Sequence, residues 1–269
     1  MQGRNQAMEL EGKVALVTGG GRGLGRATAL ALAGLGARVV ALARSLPEVE
    51  ETARLIRDEY GFGRSMAIRA DVSREADVVE AFEQVRRRWG GVDILVNNAG
   101  ETGATKPIAQ LSLAEWQRAM SVNMTGVFLC SREALPYMSH RRWGRIVNVS
   151  SASASASVAV PSMAPYSVAK AGVEHFTRIL AAEVGSQGIM AVALRPGIVN
   201  TRMQEDMRTR PAEAIPPELR ALYVAYDRRG MLAPPERPAR FIAYLCTERV
   251  GNVNGRVLDA DEMDALLTR

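Results

Sequence analysis

A short buried-strand pattern, Lys13-Val-Ala-Leu-Val17, runs without a break into Thr18-Gly-Gly-Gly-Arg-Gly-Leu-Gly25 and then into an alanine- and leucine-rich helix ending near Gly34 and Gly36. Few architectures accept strand, glycine loop and helix in that order. Glycines let the backbone come close to a diphosphate, whose charge is met by the amides and dipole at the helix N-terminus. The spacing Gly19-x-x-x-Gly23-x-Gly25 departs from the familiar G-x-G-x-x-G. By itself, such a loop serves a tight turn as readily as a nucleotide.

The alternation continues. Arg38–Ala43 reads as a second strand, about 47–60 as a helix, Ser65–Arg69 as a strand, and a helix from near Ser73 runs through Trp89. Asp93–Val96, Arg145–Val149, Met190–Leu194 and a short Gly255–Asp259 read as further strands. Between them lie a long helix opened by a Ser112/Glu115 capping box, a helix carrying Tyr166 on to about Val184, and one beginning around Pro238. Strands alternating with helices imply an α/β fold: a doubly wound, mostly parallel sheet of about seven strands, with helices on both faces and ligands at the strand C-termini. A single domain over residues 10–269 is expected, preceded by a loose polar arm at 1–9.

Composition narrows the class. With 47% hydrophobic and 23% charged residues, the chain has the material for a large core. No apolar run reaches the ~18 residues of a membrane span and no signal pattern opens the chain, so a cytoplasmic protein without a membrane partner is expected. Cys130 and Cys246 lack metal-ligand spacing and read as buried free thiols; no metal is expected. The net charge of +5 raises a nucleic-acid partner, with Arg86-Arg87-Arg88 and Arg141-Arg142 as patches. Both clusters fall at predicted helix ends, where cations complement the dipole, and no aromatic interleaving accompanies them. No nucleic-acid partner is expected.

Candidate site residues gather at strand ends. Where a dinucleotide fold places an acid for the adenosine ribose, Ala43 is followed by Arg44 and Ser45. With Arg22 in the glycine loop, these suit a 2′-phosphate, and so NADP(H). Asp71, beside Val72, either accepts from an adenine amino group or caps the helix that follows. Asn97-Asn98-Ala99-Gly100 offers amides to a ligand and to a neighbouring strand. Asn123 sits in mid-helix, where asparagine is a mediocre former. Tyr166 and Lys170, four apart on one helix face, place an ammonium where it favours the phenolate and makes the pair able to move protons. His140 and His175 carry no assigned role. Between Arg202 and Pro235 five prolines break the periodicity among Met203, Met207, Leu219, Leu222, Tyr223, Tyr226 and Met231. One or two short helices over an apolar cleft are expected, though a dimer contact needs the same residues.

Taken together, these motifs resemble the short-chain dehydrogenase/reductase family, in its single-domain subgroup with a Y-x-x-x-K active site and a Rossmann-like sheet, over about residues 12–259. The resemblance implies a cofactor site built from Thr18, Gly19, Gly23, Leu24, Gly25, Asp71, Val72, Asn98, Ala99, Gly100, Tyr166, Lys170, Pro196, Gly197, Val199 and Thr201. It implies a catalytic tetrad of Asn123, a serine near 151, Tyr166 and Lys170. Two serines compete: the family's thirteen-residue spacing to the tyrosine selects Ser153, whereas counting from the strand end selects Ser151, which is preferred because the loop beyond absorbs extra residues. The implied reaction passes hydride between NADP(H) and a carbonyl or secondary alcohol, with Ser151 on the substrate oxygen, Tyr166 moving the proton, Lys170 on the ribose and Asn123 holding a water. A ketoreductase of 3-oxoacyl, steroid or polyketide-like substrates is expected, working as a homotetramer or dimer. The rival is an NADP-binding regulatory or scaffold protein without turnover. Where the family often ends Asp-Gly-Gly, this chain has Asp259-Ala-Asp261-Glu262.

Overall fold

Seven strands of the computed structural model are β1 (Val14–Thr18), β2 (Arg38–Ala43), β3 (Ser65–Arg69), β4 (Ile94–Asn97), β5 (Gly144–Val149), β6 (Ile189–Arg195) and β7 (Val257–Asp259). They form one sheet in the order β3-β2-β1-β4-β5-β6-β7, every pair parallel. The structure describes residues 8–259 together with Glu262 and Ala265. The expected arm lies outside the described residues up to residue 7; by Leu10 the chain is already buried. Ala260 and Asp261 of the atypical C-terminal motif also lie outside them.

The strands read as near-continuous apolar runs because both faces of the sheet are covered. Alternation still sorts them: Ala15 and Val17 of β1 face one core, Val14 and Leu16 the other. The first core is closed by α1 (Gly23–Gly34), α2 (Leu46–Tyr60) and α9 (Glu236–Leu245). The second is closed by α3 (Glu75–Trp89), α5 (Gly126–Arg141) and α6 (Ala164–Val184). From β1 the chain steps outward through β2 to β3, then returns to place β4 on the other side of β1. That reversal opens a crevice at the C-terminal strand ends, where doubly wound sheets bind ligands. No helix among the described residues is long and apolar enough to cross a membrane.

Three helices differ in detail from the sequence reading. The helix opened by Ser112 is long and carries Asn123 in its middle, as expected, but it is not α-helical throughout: α4 (Leu113–Met120) passes through a π-helical turn at Ser121–Thr125 into α5, and Asn123 lies in that turn. α3 begins at Glu75 rather than near Ser73, because Asp71 first closes a turn onto Ser73. α9 starts at Glu236, which puts Pro238 inside its first turn, where a missing N–H costs nothing. In the 202–235 stretch the prolines delimit α7 (Arg202–Thr209) and α8 (Pro217–Arg228).

Candidate active site

A cleft of about 980 Å³ runs along the C-terminal strand ends, lined by the loops after β1, β2, β3, β4, β5 and β6 and by α7 and α8. Its floor near β1 is the glycine loop. Gly19 and Gly23 have φ of 64° and 50°, and a Cβ on Gly25 would lie 2.1 Å from the Gly19 carbonyl oxygen. Only glycine allows that approach. The first turn of α1 contains no acidic residue, so its partnerless amides and dipole face the cleft uncancelled. A backbone cradle of this form fits a diphosphate.

Thr18 does not line this cleft. Its hydroxyl is taken up by structure, accepting from the amides of Asn98 and Ala99 at 3.0 Å each, while the Asn98 side chain donates to the Thr18 carbonyl at 3.0 Å. These bonds splice the end of β1 to the end of β4. Gly19, Arg22, Gly23, Leu24, Gly25, Arg44, Ser45, Asp71, Val72, Asn98, Ala99, Gly100, Pro196, Gly197, Val199 and Thr201 all reach the cleft wall. Arg22 and Arg44 are half exposed and pair with Glu48 at 3.2 Å and Glu101 at 3.8 Å. Such exposed pairs are weak and can yield to a phosphate. Asp71 does not cap α3, whose N-cap is Arg74. One oxygen accepts from the Ser73 amide and hydroxyl, and the side chain still faces the cleft. Burial pushes its carboxyl up, but the Ser73 bonds and the nearby Arg44 more than offset that and hold it below the usual range.

Across the cleft, Ser151, Tyr166 and Lys170 share one wall. Ser151 follows the rigid end of β5 and is hydrogen-bonded to Tyr166, whereas the Ser153 hydroxyl turns back to Ser151 at 3.1 Å. Lys170 is buried and donates from Nζ to the Val149 carbonyl at 2.6 Å, with Nζ 5.9 Å from the centre of the Tyr166 ring. Here the structure corrects a simple electrostatic expectation. Burial pushes the Tyr166 phenol up, and the Ser151 bond, not Lys170, pulls it back. Burial also lowers Lys170 to about 8, so its charge is itself weakened.

Asn123 is fully buried behind the wall rather than in it. Its amide donates to the carbonyls of Glu101 at 2.8 Å and Ala119 at 2.9 Å, and its oxygen accepts from the Glu101 amide at 3.2 Å. A Cβ on Gly100 would sit 2.9 Å from the Asn123 oxygen and 3.7 Å from Lys170 Nζ. The glycine therefore lets the asparagine and lysine close on the same point.

Two further groups were not legible as site residues. Glu174, one turn beyond Lys170, is buried and forms a bidentate pair with Arg195 at 2.7 and 2.8 Å. It also accepts from Ser150 at 2.7 Å, and Arg195 reaches Asp259 at 3.3 Å. This ties α6, the serine strand, the Pro196-Gly197 loop and β7 together. The second group is Arg210, between α7 and α8, which lines the cleft and donates to the Thr102 hydroxyl and the Gly103 carbonyl. Glu174 at Lys170 plus four was a readable spacing; Arg210 sat in a proline-rich stretch with no periodic signal.

The model of the short chain dehydrogenase family matches residues 13–212. The chain is 34% identical over 255 residues to the 3-oxoacyl-[acyl-carrier-protein] reductase FabG of Aquifex aeolicus, covering 93% of this chain and 96% of that protein. It is 35% identical over 249 residues to cis-4-hydroxycyclohexanecarboxylate dehydrogenase of Sinomonas cyclohexanicum, covering 93% and 95%. The crystal structure of 3-ketoacyl-(acyl-carrier-protein) reductase from Brucella melitensis, complexed with NADH, superposes with a TM-score of 0.79 at 32% identity, over 93% of this chain and 97% of that one. Glycine cradle, sheet order and whole-length similarity agree: the chain belongs to the short-chain dehydrogenase/reductase family, oxidoreductases that act on CH–OH and C=O groups with a nicotinamide cofactor.

Proposed function

We propose that the protein is an NADP(H)-dependent ketoreductase. The observation that carries this reading is the meeting, in one cleft, of the glycine cradle with a buried wall of Ser151, Tyr166 and Lys170. The cradle, Asp71 and the loop from Pro196 to Thr201 would hold a dinucleotide, and Arg22, Arg44 and Ser45 would meet a 2′-phosphate where no acid stands at the end of β2. When bound, the nicotinamide supplies or accepts the hydride at the carbonyl carbon.

The chain's own residues do the rest. Ser151 donates to the substrate oxygen and favours charge building there. Tyr166 delivers the proton to that oxygen; a phenol holds its proton at neutral pH, and the Ser151 bond offsets part of the upward push of burial that would make it a weaker acid. Lys170 binds the ribose. Asn123 braces the Glu101 backbone behind it. α7 and α8 cover the substrate end. The named relatives are a 3-oxoacyl-[acyl-carrier-protein] reductase and a cis-4-hydroxycyclohexanecarboxylate dehydrogenase, so 3-oxoacyl compounds and cyclic ketones both belong in a first screen.

The test is NADPH oxidation against ketones, diketones, quinones and 3-oxoacyl thioesters. Turnover with NADPH exceeding NADH is expected, and Tyr166→Phe should lower it by about 10²- to 10⁴-fold while the cofactor still binds. Full activity in that variant would remove the assignment, and a preference for NADH would overturn the phosphate reading. Ser151→Ala should cost far more than Ser153→Ala. The reading includes a cytoplasmic setting, in accord with the buried free thiols of Cys130 and Cys246. It also includes a homo-oligomer, since Phe128 of α5 and Val168 and Ile179 of α6 are exposed. A light-scattering mass of one chain would reject the oligomer.

A further inference from the structure

Five arginines line the cleft: Arg22, Arg44, Arg118, Arg202 and Arg210. Four have a carboxylate partner. Arg22 pairs with Glu48 at 3.2 Å, Arg44 with Glu101 at 3.8 Å, Arg118 with Glu101 at 3.0 Å and Arg202 with Asp206 at 3.9 Å. Arg210 has none among the described residues, although it is half-buried. Its partners are neutral: Nη1 donates to the Gly103 carbonyl at 3.1 Å and weakly to the Thr105 hydroxyl at 3.4 Å, and Nη2 to the Thr102 hydroxyl. They hold the guanidinium plane in place, Thr102 and Thr105 being buried themselves. They do not balance its charge, and among the described residues Nε has no protein partner.

The position of this charge matters as much as its isolation. Arg210 joins α7 to α8 at the substrate end, and its own carbonyl is held by Arg220. Tyr223 lies close enough to both Tyr166 and Arg210 for their charges to act on its phenol. The cation thus lines the same cleft as Tyr223 and as Tyr166, the group that moves the proton. The same cleft wall carries apolar and aromatic side chains: Val160, Met163, Leu222, Tyr223 and Tyr226. A fixed, uncompensated guanidinium in a partly dry cleft selects for an anion, and its planar fork matches a carboxylate.

We propose that Arg210 is a specificity-determining residue that receives a carboxylate on the substrate, so that the substrate class is keto acids or the corresponding hydroxy acids, with an apolar body between carboxylate and carbonyl. The proposal rests on the reductase reading above, with Tyr166 at the reacting oxygen. Carboxylate and carbonyl are then held at two ends of the pocket, which fixes the reach of the substrate as well as its charge.

The test compares keto acids of graded length, each against its own methyl ester, by kcat/KM with NADPH. In the wild type the acid should exceed its ester by about 10- to 100-fold at the best length. Arg210→Met should bring that ratio to about one, through KM more than kcat, and Arg210→Lys should restore part of it. A purely structural role would lower acid and ester together and leave the ratio where it was, and that outcome overturns the proposal. Calorimetric binding of the keto acid to the Tyr166→Phe variant with NADPH separates this from the reductase reading. Binding that vanishes when Arg210→Met is added sustains the anion site, and if the wild type reduces neither acids nor esters it does so while rejecting the reductase. Binding indifferent to Arg210 overturns the anion site, whether or not the wild type is a reductase.

Discussion

The two ends of the cleft are built from different materials. At the cofactor end, β1, β2 and β4 are backed by two extensive cores, and the contact surface is backbone: glycines with positive φ, helix amides and strand ends. At the substrate end, α7 and α8 rest on a small cluster of Met163, Tyr166, Met207, Ile215 and Leu219, and the contact surface is side chain. α8 buries one residue, Leu219. A surface made of backbone can be changed only by changing the fold. One made of methionine, leucine and tyrosine on thinly packed helices changes with single substitutions. One scaffold thereby keeps its cofactor while its substrate varies.

Mutations at the two ends should therefore separate in size and in kind. The largest effect is expected for Gly25→Ala. Its Cβ meets a backbone oxygen at 2.1 Å, which no rotamer relieves. Loss above about 4 kcal/mol in denaturant unfolding, together with lost cofactor binding, is expected; a folded variant with normal affinity would show the cradle to be softer than the cover.

Next comes Lys170→Met, which reads the buried amine through pH. The folded amine binds its proton less tightly, at about 8, than the unfolded one at 10.5. Between those values the unfolded chain carries more protons, so stability rises with pH. Relative to the variant, the cofactor-free wild type should gain about 3 kcal/mol across that window, measured by chemical unfolding. Tyr166 acts oppositely above pH 10, since its folded phenol keeps a proton that the unfolded one loses. That term cancels between the two proteins. A flat difference would mean that the amine is solvated.

At the substrate end the numbers shrink. Leu219→Ala should cost about 2 kcal/mol, the low end for a buried leucine, because its small cluster can collapse. Leu222→Ala, 37% exposed and on the cleft, should move stability by less than about 0.5 kcal/mol while changing KM. A shift in cofactor affinity from either would blur the division.

The same division explains what could be read in advance. Strands such as Ile94–Asn97 announce themselves as apolar runs, and the glycine loop and Asn97-Asn98 sit at their ends, so one end of the cleft follows from local pattern. The buried seam Asn97 to Asn148 to Thr177, with bonds of 2.8 and 2.9 Å, spans β4, β5 and α6 and has no local signature. Strand geometry favours Ser151 over Ser153, and the fold adds that the Ser153 hydroxyl bonds to Ser151; the two alanine variants decide between them. Arg210 was illegible for a plainer reason. Among the five arginines of the cleft, its distinction is that no carboxylate of the described residues pairs with it, a property of three-dimensional neighbours rather than of spacing.

The π-helical turn at Ser121–Thr125, where the Gly126 amide reaches back to Ser121, makes this helix a counting device. One additional residue is accommodated there, and a residue advances an α-helix by about 100°. Deleting one of the five would let the helix close into a regular spiral with the face bearing Leu129, Ala134 and Met138 still turned to the core, and what would be lost is the widened turn from which the Asn123 amide reaches both Glu101 and Ala119. The helix keeps its frame around the extra residue, and Asn123 sits inside it.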